Sequence, residues 1–584
     1  MQAEGAQMSK FKPDHPSLNR RTFLRSIGTA TAVAATTSLV RPSFAQEGSD
    51  PPPQGRAMRS PQNDQLHAAG SLPALPSLGV IALNRIAFGP RASDLGDFNA
   101  LGGSDEARLT AYVDQQLNPA AIDDSAFETK LNSLGFISLN KSLAQLWQQH
   151  RVDPEPPEYM YTWRQLPLTD TMRATFNRAV HSRRQLVEVL ADFWHNHFNV
   201  RGWDGDIQSV FVHYDRDVIR KNLLGNFRTM LEDVAKSTAM LYFLDNRSNT
   251  GARPNENYAR ELFELHTMGA ENYKGEFPQE QVPVSNGWPV AYVDADVYGA
   301  TTCFTGWTTV DGLFQIDPND HFPNQKVVFG RVIPANQTAE KDGRDVLDML
   351  AQHPGTGRYV CRKLCRRFIS DNPPERIVNE AAALFTAKWQ APDQLKQVVR
   401  LILLSPEFRS TWGQKIKRPF EVAVSALRSL NTGFWFNPDP PTGPDLGGDF
   451  LYNYNRMGQE LFSWATPTGY PDVKEDWTSM VPMLQRWRLC HWMVDWSDSA
   501  VYRIANAVSQ TPADKRSPNE LVSYWESRIL RRPLSNPDRQ EIIDFIAQGR
   551  NPDYDLPLNT DDATQHRLRS MVGLILNTPD FQWR

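Results

Sequence analysis

The stretch TMRATFNRAVHSRRQLVEVLADFWHNHF, Thr171–Phe198, decides the fold. Its apolar residues recur at helical spacing and predict one long helix of about seven turns. His181, Arg184, Glu188, Asp192 and His195 follow one another at three- or four-residue steps, so they share one face. Met172, Phe176, Val187, Leu190 and Trp194 supply the apolar flanks. The stretch runs into DFWHNHFNV, Asp192–Val200, which sets His195, Asn196 and His197 among a tryptophan and two phenylalanines. Polar groups in such company are costly unless each finds a partner. They form either a closed structural network or a site.

Helical periodicity continues outward from there. SLGVIALNRIAF and DEARLTAYVDQQL carry apolar residues three and four apart. PNENYARELFELHTMG, Pro254–Gly269, opens on proline and closes on glycine, the punctuation of a helix. Strand signals are sparse. GWTTVDGLFQID and NQKVVFGRVI predict one small hairpin between Gly306 and Ile333. The fold class is therefore mostly α, a large multi-helix globular body with at most a small β-hairpin. No repeat of twenty to fifty residues supports a solenoid.

The chain has 584 residues, enough for several domains or one large helical body. A net charge of -5 leaves no basic footprint, which argues against nucleic acid as a partner. Sixteen tryptophans read first as core filling and second as an aromatic-lined cleft for flat ligands such as sugar rings. Cys303, Cys361, Cys365 and Cys490 have no metal spacing. Cys361 and Cys365 lie one helical turn apart and read as buried thiols, with any disulfide pairing open.

The first residues read as an address. Arg20 and Arg21 precede Phe23, Leu24, an Ala/Thr-rich run and Ser43-Phe44-Ala45. That layout predicts a twin-arginine signal peptide over residues 1–45, a periplasmic or secreted protein, and the twin-arginine export machinery as a partner. The apolar run is too short and too broken for a membrane span, so the mature chain has no integral span. Residues 46–71 are rich in Pro, Gly and Gln and predict a disordered linker. Residues 72–584 form the helical domain, with any division into two subdomains left open.

The polar stripes carry the candidate chemistry. In the second helix Asn257, Arg260, Glu261 and Glu264 line one face, with Tyr258 on another and His266 beside it. Asp192-x-x-His195 has the spacing with which helices present metal ligands into a bundle core. A divalent transition metal is the cofactor such a set admits, with Asp192, His195, His197, Glu261, Glu264 and His266 as ligands. The second helix lacks the Glu-x-x-His that would complete a di-metal pattern. The rival is metal-free acid–base chemistry by His195 or His197, Asp192, Arg260, Glu261 and Glu264. Asn196, Asn257, Tyr258, Trp464 and Tyr470 would bind substrate, and Tyr214 is a second candidate proton donor. These residue types suit hydrolysis or β-elimination on an extracytoplasmic polymer, above all a glycan. A third reading is a non-catalytic surface or assembly protein whose polar stripes are structural.

Seven segments together resemble one family. They are LNRIAFGPR, YVDQQLNP, DFWHNHFNV, NENYARELFELHTMG, HPGTGRYVCRKLCRRFISDNPP, KRPFEVAVSALR and LFSWATPTGYPD, and they run from Leu83 to Asp472. The chain resembles the bacterial domain-of-unknown-function family numbered 1800. The resemblance implies exported, largely helical bacterial proteins, often encoded beside a second exported family. It implies no catalytic residue.

Overall fold

The structure, a computed structural model, describes residues 75–153, 160–438, 445–495 and 504–584. The sequence-based signal peptide and linker lie outside these residues. Contacts group Ser71–Arg584 as one unit.

Helices dominate the described residues, and local chemistry explains where many begin. Ser104, Thr338 and Ser405 each accept a backbone N–H from the first turn of the helix they precede. Pro354, Pro419 and Pro518 open helices where no N–H is needed. A continuous apolar core then gathers the helices. At its centre Phe176 packs against Phe436, Tyr454, Phe420 and Phe450 at centroid distances of 4.9, 5.0, 5.1 and 5.6 Å. Each fully buried large side chain of this kind contributes roughly 1.5–3 kcal/mol. Those contacts dock the helix Pro419–Ser429 onto the helix Met160–His181, and with it one wall of the site. Trp194, Trp307 and Trp525 are fully buried, as core filling requires. All four cysteines are buried and free.

Two expectations need correction. Thr171–Phe198 is not one helix: Met160–His181 ends and Gln185–His197 begins anew. The break is made from outside the stretch. Asp124 accepts the Ser182 hydroxyl at 2.6 Å and the Arg183 amide at 2.9 Å. Arg428 donates to the carbonyl of Val180 at 2.9 Å. Groups that a continuous helix would pair internally are thus satisfied elsewhere. The polar stripe is cut with it, since His181 stacks on Trp435 at 4.0 Å and Arg184 pairs with Glu128 at 2.7 Å.

The second correction concerns strands. The predicted single hairpin is two: Trp307–Val310 pairs with Leu313–Ile316, and Lys326–Val328 with Arg331–Ile333. A third pairs Val284–Ser285 with Trp288–Pro289. Asp311 and Gly312, and Phe329 and Gly330, adopt positive φ in the two turns, so each strand folds back on its own neighbour. Among the described residues no helix is long and apolar enough to cross a membrane.

Candidate functional site

Three segments converge on the C-terminal half of the helix Gln185–His197. They are the π-helical Tyr214–Arg220, the start of Pro419–Ser429 and the loop Leu461–Asp472. The π winding matters because it brings residues five apart together. Arg220 Nε donates to both oxygens of Asp215 at 2.9 Å, and its Nη1 donates to Glu188 at 2.9 Å. Arg178 stands 3.8 Å from Asp215. Burial works to raise the Asp215 carboxyl, but Arg220, His195 and Arg178 together hold it well below the usual carboxylate range.

That carboxylate meets His195 Nε2 at 2.9 Å. A neutral His195 therefore donates its Nε2–H to Asp215 and leaves Nδ1 as an acceptor. Among the described residues nothing bonds to Nδ1. His195 is 9 % exposed and borders a hollow of about 30 Å³. Asp192, Asn196, Asn199, Arg220 and Tyr470 form its polar wall, and Phe420 and Phe462 its apolar one. A histidine oriented by an ionised carboxylate, with one ring nitrogen unbonded and the ring bordering a hollow, has the elements of a general base.

The other polar residues of DFWHNHFNV have different work. Asp192 forms a close ion pair with Arg418 rather than with His195. Asn196 donates to the carbonyl of Tyr470 at 2.8 Å and accepts the Tyr470 amide at 2.6 Å. Asn199 donates to the carbonyls of Trp464 and Thr466 at 3.0 and 2.7 Å. The two asparagines thus tie down the loop that roofs the hollow. His197 faces the opposite way and meets the His266 carbonyl through Nε2 at 3.1 Å.

Several predicted site residues therefore do not join His195. Tyr470 lines the hollow, but its hydroxyl donates to the Glu460 carbonyl at 2.6 Å. Trp464 does not line it; it packs on Tyr470 at 4.8 Å and donates to Thr468 at 3.1 Å. Arg260 is engaged with Glu256 and Asp294 at 3.0 and 3.1 Å. Asn257 donates to the Leu244 carbonyl at 3.2 Å. Tyr258 and Glu261 are buried, Glu264 is half-buried, and none of the three borders the hollow. Tyr214 is fully buried and donates to the Phe198 carbonyl at 2.6 Å.

The six proposed metal ligands do not converge either. Among the described residues no group of three or more His, Cys, Asp or Glu side chains could hold a metal ion. The reason is geometric. His195 and His197 are two apart on a helix and point to different sides, and Asp192 is taken by Arg418. His266 approaches His197 only at 6.4 Å between ring centres, and neither of its ring nitrogens has a hydrogen-bond partner. Burial lowers His266 to about 3 and His197 well below the usual imidazole range.

Sequence reading missed Asp215, Arg220 and Arg418. The first two sit in HYDRDVIRK, where a five-residue spacing gives no helical signal unless the π winding is known. Arg418 lies far along the chain from Asp192, and nothing local links them.

With the fold and site in view, comparison places the chain. The model of the family described as Protein of unknown function (DUF1800) matches residues 81–583. The chain belongs to that family. Comparison with curated proteins gives no match, and comparison with solved structures gives none.

Proposed function

We propose that this chain is an exported enzyme acting on an extracytoplasmic polymer, with a glycan as the substrate class, through metal-free acid–base chemistry. The observation that carries the reading is the His195–Asp215–Arg220 relay, with Nδ1 of His195 left unbonded and the residue lining a hollow. His195 takes a proton from an attacking water or from a sugar carbon next to a carboxylate. Asp215 orients the ring and stabilises the imidazolium that forms, and Arg220 keeps Asp215 ionised. A hollow of about 30 Å³ holds little more than water, so the polymer would lie across its mouth. Export rests on the Arg20-Arg21 segment.

A non-catalytic assembly role is the second reading. It is favoured by the use of Asn196, Asn199 and Asp192 in purely structural bonds.

One experiment separates them. Protein recovered from the periplasm or medium is assayed on a panel of neutral and acidic polysaccharides, following reducing ends and the ultraviolet absorbance of unsaturated uronates. His195→Gln keeps a donor for Asp215 and removes the base. It should lower turnover by roughly 10²–10⁴-fold with little change in melting temperature. Turnover unchanged in His195→Gln, or no product from any polymer, overturns the enzyme reading. Recovery of an Arg20→Lys, Arg21→Lys variant outside the cytoplasm at the level of the parent overturns the export route.

A further inference from the structure

Asn196 borders a second hollow, also of about 30 Å³, on the other side of the helix end. His197, Lys363, Arg366, Arg367 and Arg418 line it, with Phe193 and Asp472 completing the wall. The charges around it do not balance. Arg367 and Arg584 share Glu421 at 2.9 and 2.8 Å. Arg418 pairs with Asp192, and Lys415 joins Asp371 and Asp472 at 2.7 and 2.8 Å. Those four cations are thus answered by Asp192, Asp371, Glu421 and Asp472.

Lys363 and Arg366 come in addition. Arg366 donates Nε to the Asp371 carbonyl at 3.0 Å. Lys363 forms no ion pair or hydrogen bond among the described residues; its contact is with the Tyr359 ring at 5.4 Å. Burial lowers the Lys363 ammonium to about 8, with Arg366 acting in the same direction and the nearby Asp472 and Glu271 only partly opposing it. Two guanidinium Nε groups also make no hydrogen bond among the described residues, although carboxylates stand at ion-pair distance from each. Arg367 is 1 % exposed, and its Nε has no hydrogen-bond partner, the nearest ion-pair oxygen being Asp192 Oδ2 at 4.0 Å. Arg418 Nε likewise has none, with Glu421 and Asp472 oxygens at 3.6 and 3.7 Å.

Surplus cations with unused donors around one hollow are expensive to keep inside a protein unless an anion joins them. We propose that this hollow is an oxyanion site, taking a carboxylate, sulfate or phosphate group between Lys363 and the unused edges of Arg367 and Arg418. Lys363, Arg366, Asn196 and Asp472 are only half-buried, so the group enters from solvent. The anion is either a free ion or the acid group of a larger molecule, because the chemistry on offer recognises the charged head alone.

Thermal melts of the full chain test this. Sodium sulfate, sodium phosphate, galacturonate and polygalacturonate are titrated against sodium chloride at matched ionic strength. A saturable rise in melting temperature beyond that in chloride is expected, and Lys363→Met should weaken the apparent affinity at least tenfold. Lys363→Met should melt no lower than the parent in chloride, because it removes an unpaired ammonium. Lys363→Gln serves as a second variant with the same expectation. The free ions acting best assigns a free-ion ligand, and polygalacturonate acting best assigns an acid group on a polymer. A response equal to that in chloride, or one unchanged in both variants, overturns the site; the general stabilisation sulfate gives any protein persists in the variants and cancels in the comparison with the parent. The response should persist in His195→Gln, so its failure is distinct from failure of the acid–base reading.

Discussion

Asn196 shows how one side chain can be placed by the partner it holds. Its amide bonds both backbone groups of Tyr470, and the residue before, Gly469, sits at φ +71°. A Cβ on Gly469 would stand 2.1 Å from the backbone oxygen of Asn196. That oxygen is part of a helix and cannot step aside, and the left-handed conformation adds its own strain. Gly469→Ala should therefore cost roughly 2–4 kcal/mol and unseat the roof of the hollow. Urea unfolding combined with amide hydrogen exchange over 464–470 checks this; a loss below about 1 kcal/mol with unchanged exchange would mean the loop is not held this way. The identities in DFWHNHFNV were enough to mark the spot. The directions were not, because two histidines flanking one asparagine on a helix must face different neighbours.

The interruption at Ser182 decides more than helix length. It separates His181 and Arg184 from the residues that reach the hollow, so a stripe continuous in sequence is two stripes in space. Asp124 is the group that fixes it, through the Ser182 hydroxyl and the Arg183 amide. Asp124→Ala leaves both donors without an acceptor in a buried setting and should cost about 2–4 kcal/mol, whereas Asp124→Asn keeps one acceptor and should cost less. Denaturant midpoints of the two variants test the claim, and equal losses within about 0.5 kcal/mol would contradict it. Periodicity could not reveal the break because the capping carboxylate arrives from another helix pair. The π-helical Tyr214–Arg220 escaped for a related reason, since tertiary packing and not local propensity selects that winding.

Across the molecule, neutral histidines are built into the interior. Burial lowers His150, His181 and His353 to about 4 and His266 to about 3, with His197 also well below its usual value. In the unfolded chain each binds a proton near pH 6.5, so between about 6.5 and 4 the unfolded state holds more protons than the folded one. Stability must fall as pH falls through that window, by up to about 1.4 kcal/mol per pH unit for each fully developed site. Melting temperature should drop steadily from pH 7 to pH 4.5. His266→Phe should flatten the curve, since the ring it replaces makes no hydrogen bond. A flat profile over that range would show that these rings are not kept neutral by burial.

The sequence alone determined the helical class, the family and the segment around which the site is built. Those properties follow from spacing and local composition, which act over a few residues. Tertiary structure decided which polar groups pair: that Asp215 orients His195, that Arg418 takes Asp192, and that Lys363 lines a hollow without an ion-pair partner among the described residues. Such pairings join residues remote along the chain, and their strength comes from being enclosed together in a medium of low polarity.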